Sequence, residues 1–214
     1  MPVNEFLRRS LDSGAPVSSY ATYAGDQSVA QHLPAYTEIT RRNKGWQVMN
    51  TAALAALVVR PSTVAGLTLY NGNTAASQVA LIIDSVKVFN LVTTAALSDW
   101  SVWACIHPTG MTAPTADITA IKSMSGLATA YGGGAIVDTG ATVVDNGWFP
   151  IGANANVTHG VGVTPGHAVS IPVEGRFIIP PTAAISVTVV ASIVGLTFTH
   201  GFSWYEDVLP MGGI

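Results

Sequence analysis

Five histidines are the residues of this chain whose type best suits metal binding or acid–base chemistry: His32, His107, His159, His167 and His200. Zinc and copper sites often use a His-x-x-x-His pair, and no two of these histidines have that spacing. His200 instead lies between Phe198 and Phe202 on the apolar side of a predicted strand, which is typical of a buried core histidine. We therefore expect no metal and no other cofactor.

Motifs for covalent and phosphoryl chemistry are the next candidates. The chain has no Gly-x-Ser-x-Gly elbow. Its two glycine-rich segments, residues 131–135 and 159–166, lack the Gly-Lys-Ser/Thr ending of a phosphate loop. Cys105 is the single cysteine and lies in the apolar residues 100–106, so it cannot form an internal disulfide. Its surroundings predict a small buried hydrophobic residue rather than a reactive thiol.

Sugar chemistry would need a different set of residues. A glycosidase needs two carboxylates that face each other across a cleft. The acidic residues are scattered apart from Glu206 and Asp207, and we interpret residues 205–207 as a solvated strand end. The sequence leaves a pairing such as Asp84 with Asp138 open. The five tryptophans could stack on sugars. Four of them lie in or beside apolar strands, which favours burial in a core or an interface: Trp100, Trp103, Trp148 and Trp204. We expect that the protein is not an enzyme.

Charge is scarce in most of the chain. Residues 45–214 contain four basic and eight acidic residues among 170 positions, whereas about a quarter of an ordinary soluble domain is charged. A free monomer normally keeps itself soluble with charged side chains of both signs. We therefore expect a homo-oligomer, with a trimer favoured over a dimer, or burial against another protein. The net charge of -3 argues against a nucleic-acid partner, because nucleic-acid binding needs a basic face.

Two apolar stretches, residues 52–59 and 183–204, are candidates for membrane spans. Residues 52–59 are too short to cross a bilayer, and polar residues interrupt residues 183–204 throughout. The start of the chain is polar and mixed in charge, without the apolar region of a signal peptide. We expect a soluble protein that has no membrane partner and is not exported by the general secretory route.

Residues 1–44 differ from the rest, and we interpret them as an N-terminal arm before a domain of residues 45–214. They hold five of the nine basic residues and show no sustained apolar period. Residues 4–11 suit one or two turns of helix, with Asn4 as the N-cap. A disordered terminus and an arm that orders on a partner both fit this composition. The predicted partner-binding residues are the apolar and aromatic Phe6, Leu7, Leu11, Tyr20 and Tyr23, and the basic Arg41, Arg42 and Lys44, which would meet acidic groups at the edge of the body.

Residues 45–214 have the pattern of an all-β protein. About eight to ten short strands separated by turn signals predict an antiparallel sandwich or barrel. Residues 79–92 are apolar at both parities, which predicts a strand covered on both faces. The pair Glu174 and Gly175 predicts a turn between two strands. At Gly195 the apolar residues switch from odd to even positions, which predicts a tight turn between the last two strands.

The polar arm, the Ala/Val/Thr/Gly-rich β body and the closing strand Gly-Phe-Ser-Trp-Tyr-Glu of residues 201–206 resemble the jelly-roll virion proteins of tailed bacteriophages. These include the cement or decoration proteins on the outside of a capsid. The resemblance implies a jelly-roll-like sandwich, a homo-oligomer, and the major capsid protein or another virion protein as partner. It also implies a place on the capsid exterior after synthesis in the host cytoplasm, and it supplies no catalytic residues. The alternative is a virion module that binds a carbohydrate or a receptor through loops such as residues 107–114 and 154–166.

Overall fold

The computed structural model of the chain describes residues 6–9, 16–19, 37–92, 98–127, 130–157 and 168–209. Its strands are β1 Phe6–Arg9, β2 Pro16–Ser19, β3 Gly45–Met49, β4 Leu54–Ala55, β5 Leu67–Asn71, β6 Val79–Val92, β7 Ser98–His107, β8 Lys122–Ser123, β9 Ala135–Thr139, β10 Phe149–Val157, β11 Ala168–Ile179, β12 Ala184–Ala191 and β13 Thr197–Val208. A short helix, α1, spans Thr37–Arg41, and a 3-10 turn spans Ala75–Ser77. Within these residues no helix has the length and apolar composition to cross a membrane.

The chain divides into two compact units, Met1–Glu38 and Ile39–Ile214. In the first unit β1 and β2 form an antiparallel pair. The predicted helical turn over residues 4–11 is therefore wrong, because four of its residues form a strand. The predicted apolar anchors fall into two groups, with Phe6 and Leu7 in β1 and with Leu11, Tyr20 and Tyr23 outside the described residues.

The second unit consists of two antiparallel sheets that pack against each other, which confirms the predicted all-β sandwich. The first sheet has the strand order β10-β7-β12-β5-β9. The second has the order β11-β6-β13-β3-β8, and β4 pairs with the beginning of β13. The main core lies between the sheets and contains Val102 and Val187 from the first and Phe202 and Trp204 from the second.

Three antiparallel strand pairs are nested along the chain: β5 with β12, β6 with β11 and β7 with β10. Successive pairs alternate between the first sheet and the second. A long hairpin wound across two sheets in this way is the arrangement of a jelly roll. Between β7 and β10, where a regular jelly roll has its innermost hairpin, this chain instead contributes β8 and β9, which pair with β3 and β5.

The last two strands follow the alternation of the sequence. Odd positions of β12, such as Ile185 and Val187, are buried in the main core. Gly195 has a φ of 92° in the following turn, a conformation that favours glycine. After this turn the even positions of β13 point into the core, with Phe202 and Trp204 fully buried. The predicted turn at Gly195 is confirmed.

A bulge in β6 corrects one strand prediction. Leu81 and Ile83 are buried before Asp84, and Val86 and Val88 are buried after it, so the inward parity changes at this residue. The register of β6 against β13 shifts at the same point. The strand is apolar at both parities for this reason. On its other face Ala80 and Ser85 are buried, and Ile82, Lys87 and Phe89 are partly buried. The face of β6 that points away from the core is therefore covered in part, and not throughout.

A second bulge corrects the turn predicted at Glu174 and Gly175. Both residues have positive φ, 53° and 75°, but they lie inside the single strand β11. The register against β6 shifts between Pro172 and Phe177, and the strand pairs with β6 on both sides of the shift. Because β6 is long enough to pair with both halves, β11 bends at the bulge and continues to Ile179.

A second, smaller core lies on the outer side of the first sheet. Cys105 of β7 is fully buried there, and Ala141, Val143 and Trp148 pack with it and with Ala65. The segment between β7 and β10, which replaces the innermost hairpin, thus forms an outer layer over the first sheet. Cys105 is a small buried hydrophobic residue, as the sequence predicted.

Residues that precede β3 belong structurally to the second unit. The Lys44 ammonium lies 2.6 Å from Oδ1 of Asp207 on β13. The side-chain oxygen of Asn43 accepts hydrogen bonds from the hydroxyls of Ser123 and Ser125. The second unit therefore includes residues that precede Gly45, the predicted start of the domain.

His200 is the buried core histidine that the sequence predicts. Its backbone N–H donates to Oδ1 of Asn50 at 2.5 Å, but neither ring nitrogen has a hydrogen-bond partner. The ring lies so close to Gly66 that a Cβ at that glycine would be 2.8 Å from Nε2. Burial lowers the pKa of His200 from 6.5 to about 4. A proton on this ring is therefore unfavourable in the folded chain.

We predict that the free energy of unfolding falls between pH 6.5 and 4 in a way that depends on His200. The neutral ring contributes its full stability above pH 6.5, and this is lost as the pH falls towards the folded-state pKa, because the unfolded chain binds the proton more readily. The loss should amount to about 3 kcal/mol, and His200→Leu should remove it. Urea unfolding of both chains across this pH range measures the difference, and parallel curves would contradict the prediction.

Candidate functional site

A row of hydrogen-bonded polar side chains lies on the outer side of the first sheet. Ser186 Oγ lies 2.8 Å from Thr68 Oγ1 and 2.9 Å from Nε2 of His107. Nδ1 of His107 lies 2.8 Å from Oδ1 of Asn146. An amide oxygen only accepts, so Nδ1 carries the proton and Nε2 accepts from the Ser186 hydroxyl. We call these four residues the polar chain.

Strand register brings the polar chain together. Thr68 of β5 and Ser186 of β12 are directly opposite each other, and His107 ends the neighbouring strand β7. Asn146 reaches them from the outer layer. From the sequence, His107 is a candidate metal ligand by its type and the first residue of the predicted ligand loop 107–114, whereas Thr68, Ser186 and Asn146 are not among the predicted site residues. The available signal was the presence of hydroxyl residues at outward positions in two mostly apolar strands, Thr68 in β5 and Ser186 in β12.

Cys105, His107 and Asn146 have the residue types of a cysteine nucleophile, its base and an orienting amide. Their geometry does not match those roles, because Cys105 Sγ lies 4.0 Å from Nδ1, the nitrogen that already donates to Asn146. Burial raises the pKa of the Cys105 thiol and so disfavours the reactive thiolate. The polar chain therefore orders the outer side of the sheet and does not activate the thiol.

A cleft of about 400 Å³ opens where the polar chain reaches the surface. Residues 107–112 form one wall, and residues 142–144 with Asn146 form the other. No charged side chain is among the described residues that line this outer cleft. It includes most of the predicted ligand loop 107–114, whereas residues 158–166 of the other predicted loop lie outside the described residues. An uncharged cleft of this kind suits an uncharged ligand.

Four exposed valines lie on two segments of the chain, residues 58–64 and residue 144, and we call them the valine patch: Val58, Val59, Val64 and Val144. Two of them are 67% and 69% exposed, Val59 and Val144. Val64 pairs with Thr142, and Val144 also lines the cleft. Arg60 holds Asp145 through two hydrogen bonds of 2.6 and 3.2 Å, which join the two segments of the patch. Arg60 and Asp145 thus pair with each other within the chain.

A second cavity, of about 490 Å³, lies at the end of β13. There Glu206 accepts hydrogen bonds from the Tyr131 hydroxyl and from the Trp204 indole N–H. The Tyr131 ring packs edge-on against Trp46, with 4.8 Å between the ring centroids. Burial, followed by the charge of Glu206, raises the pKa of Tyr131, so its hydroxyl stays protonated and keeps donating. This cluster stabilises the end of β13.

The interpretation of residues 205–207 as a solvated strand end is wrong. Tyr205 is buried, and Glu206 bonds a tyrosine that lies 75 residues earlier in the chain. Burial acts to raise the pKa of Asp207, but the hydrogen bonds from Lys44 and from the Val208 N–H outweigh it and lower that pKa. Of the predicted basic residues, Lys44 therefore meets an acidic group of the body itself, while Arg41 ends α1 and Arg42 follows it.

The structure separates the two carboxylates that the sequence left open as a pair. Asp84 lies on β6 in the second sheet, and Asp138 lies on β9 in the first. Burial and then the charge of Asp117 raise the pKa of Asp138. In the part of the chain that the structure describes, no three His, Cys, Asp or Glu side chains form a group that could hold a metal ion. Three of the four tryptophans that the sequence predicts to be buried are buried: Trp100, Trp148 and Trp204.

We predict that the polar chain stabilises the fold through the Ser186 hydroxyl. Ser186→Ala leaves Nε2 of His107 without a partner in a buried position, which should cost about 1–3 kcal/mol in the free energy of unfolding. Thr68→Val removes only the hydroxyl at the end of the polar chain and leaves the Ser186–His107 bond in place. Its loss in the free energy of unfolding should therefore be clearly smaller. Denaturant unfolding of the two variants tests this, and equal losses would contradict it.

Comparisons with protein-family models, with curated proteins and with solved structures give no significant match.

Proposed function

We propose that this protein is a structural assembly subunit of the jelly-roll virion type, a cement or decoration protein that forms homo-oligomers on the outside of a capsid. The valine patch is the observation that carries the proposal. Apolar side chains that are 49–69% exposed, as these four valines are, are a liability in a free monomer when they lie together on one surface. Burial of these side chains against another subunit would contribute favourably to the free energy of association.

The charges around the valine patch support an apolar interface. Arg60 and Asp145 bond each other in a forked geometry, so neither requires a charged partner from another molecule. The Arg60 bond lowers the pKa of Asp145 to about 2, which keeps the pair ionised and joined at neutral pH. An interface of this kind should be insensitive to salt, because ionic screening weakens interactions between charges and leaves apolar burial largely intact.

The partner that best fits the valine patch is a second copy of this chain, in a trimer first and a dimer next. The patch lies on a body with few charges, and interfaces between identical subunits are more apolar than the rest of a protein surface. The major capsid protein, or another virion protein, is the proposed partner of the assembled oligomer. The arm residues Phe6 and Leu7 remain proposed contacts to such a partner.

The outer cleft favours a second candidate function, a virion module that binds a carbohydrate or a receptor. Its described lining consists of threonines, apolar side chains and polar-chain residues such as Asn146, without charge. Neutral hydrogen-bonding groups in a partly apolar cleft suit a neutral ligand. A glycan array tests this function, since a purely structural protein should retain no glycan.

We predict that charges placed in the valine patch dissociate the oligomer. The double variant Val64→Asp, Val144→Asp should elute as a monomer at micromolar concentration, because two carboxylates would have to be buried at each interface. Leu127→Asp is the matched control, since Leu127 is 70% exposed outside the patch and its replacement should leave the oligomer intact. Light scattering after size exclusion gives the masses, and circular dichroism checks the fold. An unchanged mass for the double variant would contradict the proposed interface.

A further inference from the structure

Two Asn-Gly pairs occur in the chain, Asn71-Gly72 and Asn146-Gly147. In such a pair the backbone nitrogen of glycine can attack the side-chain amide carbon of asparagine, because glycine has no Cβ to obstruct the approach. The N–H proton is lost, a five-membered succinimide forms and ammonia leaves. Water then opens the ring to aspartate or to isoaspartate, so the balance requires only water as co-reactant.

We propose that Asn146 is a self-modification site, at which attack by the Gly147 nitrogen converts the asparagine to aspartate and isoaspartate in the folded protein, while Asn71 is protected. The two sites share the same dipeptide. Their surroundings differ in access, in room for the backbone to rotate, and in the groups that contact the reacting atoms.

The backbone at Asn146 has room to reach the geometry of attack. Asn146 is exposed, and Gly147 has a φ of 100°. A Cβ placed on Gly147 would meet no atom within 4 Å. The turn can therefore rotate its peptide plane without displacing neighbouring side chains.

Two neighbouring side chains polarise the reacting groups. The Gly147 N–H donates to Oδ1 of Asp145 at 3.0 Å, which places a carboxylate at the proton that has to leave. On the other side, Nδ1 of His107 donates to Oδ1 of Asn146 at a distance of 2.8 Å between the two atoms. This donor withdraws electron density from the amide carbon and stabilises the negative oxygen that forms during attack. The attacking nitrogen and the attacked carbonyl are thus both assisted.

Asn71 is held away from the same reaction. It is fully buried, and its Nδ2 donates to the carbonyls of Val79 and Ile179, both at 2.9 Å. The Gly72 nitrogen donates to the Gly134 carbonyl at 2.8 Å. A Cβ on Gly72 would lie 2.6 Å from that carbonyl oxygen, so the backbone has no room to rotate. Neither reacting atom can move towards the other.

The modification changes the outer cleft. It places a carboxylate beside His107 in a cleft that has no charged group among its described lining residues. A carboxylate at this distance favours the protonated imidazole. The isoaspartate product also lengthens the backbone of the turn that leads to Trp148, a residue of the smaller core.

Incubation of the purified full-length protein at neutral and mildly alkaline pH, followed by peptide mass spectrometry, tests the proposal. Cleavage after basic residues separates the two sites, because Asn146 lies in residues 123–176 and Asn71 in residues 45–87, where Arg60 is protected by the following Pro61. Fragment ions assign the conversion of amide to acid to a single residue. Asn146→Gln is the matched control, since its longer side chain cannot close the five-membered ring.

In the folded protein, conversion at Asn146 should be on the order of 100-fold faster than at Asn71, as expected when one of two reacting pairs is held out of position. The rate should rise with pH, because the attacking nitrogen must lose a proton. In denaturant the two rates should converge, since only the fold distinguishes the sites. Equal rates in the folded protein, or an Asn146 that reacts only after unfolding, would overturn the proposal.

Discussion

With so few charged side chains, the body of this protein has to satisfy its buried polar groups through neutral hydrogen bonds. The polar chain from Thr68 to Asn146 does this on the outer side of the first sheet. Asn71 does it at the end of β5, where its amide donates to two backbone carbonyls. The His200 ring is an exception, and its lowered pKa predicts a loss of stability in acid. In the proposed assembly, the same shortage of charge makes the exterior depend on apolar contacts with other subunits.

The replacement of the innermost jelly-roll hairpin explains where the notable surface features lie. The chain between β7 and β10 forms β8 and β9 and then folds over the outer side of the first sheet. The outer cleft, part of the valine patch and the Asn146 turn all belong to this outer layer or border it. A regular hairpin would have extended a sheet instead of covering one. The departure from the regular fold thus creates the surfaces that are available for function.

Sequence periodicity predicted the sandwich because core-facing and outward positions alternate along the strands, and at β12 and β13 this alternation and Gly195 were enough to place the turn. It was misleading at β6, where the bulge at Asp84 exchanges the two faces and a single parity rule cannot describe the strand. The link between Tyr131 and Glu206 was not predictable, because it depends on two segments that only the completed fold brings together. The helix expected at residues 4–11 failed because a local pattern does not reveal the strand pairing that replaced it.

We propose that the charge-poor body assembles with copies of itself through apolar contacts. Sedimentation velocity of the unaltered chain at micromolar concentration, in low salt and again in high salt, tests this assembly. The expected mass is that of a trimer, or failing that a dimer, in both conditions, because screening leaves apolar burial intact. A monomer in low salt, or an oligomer that dissociates as salt is added, would contradict it.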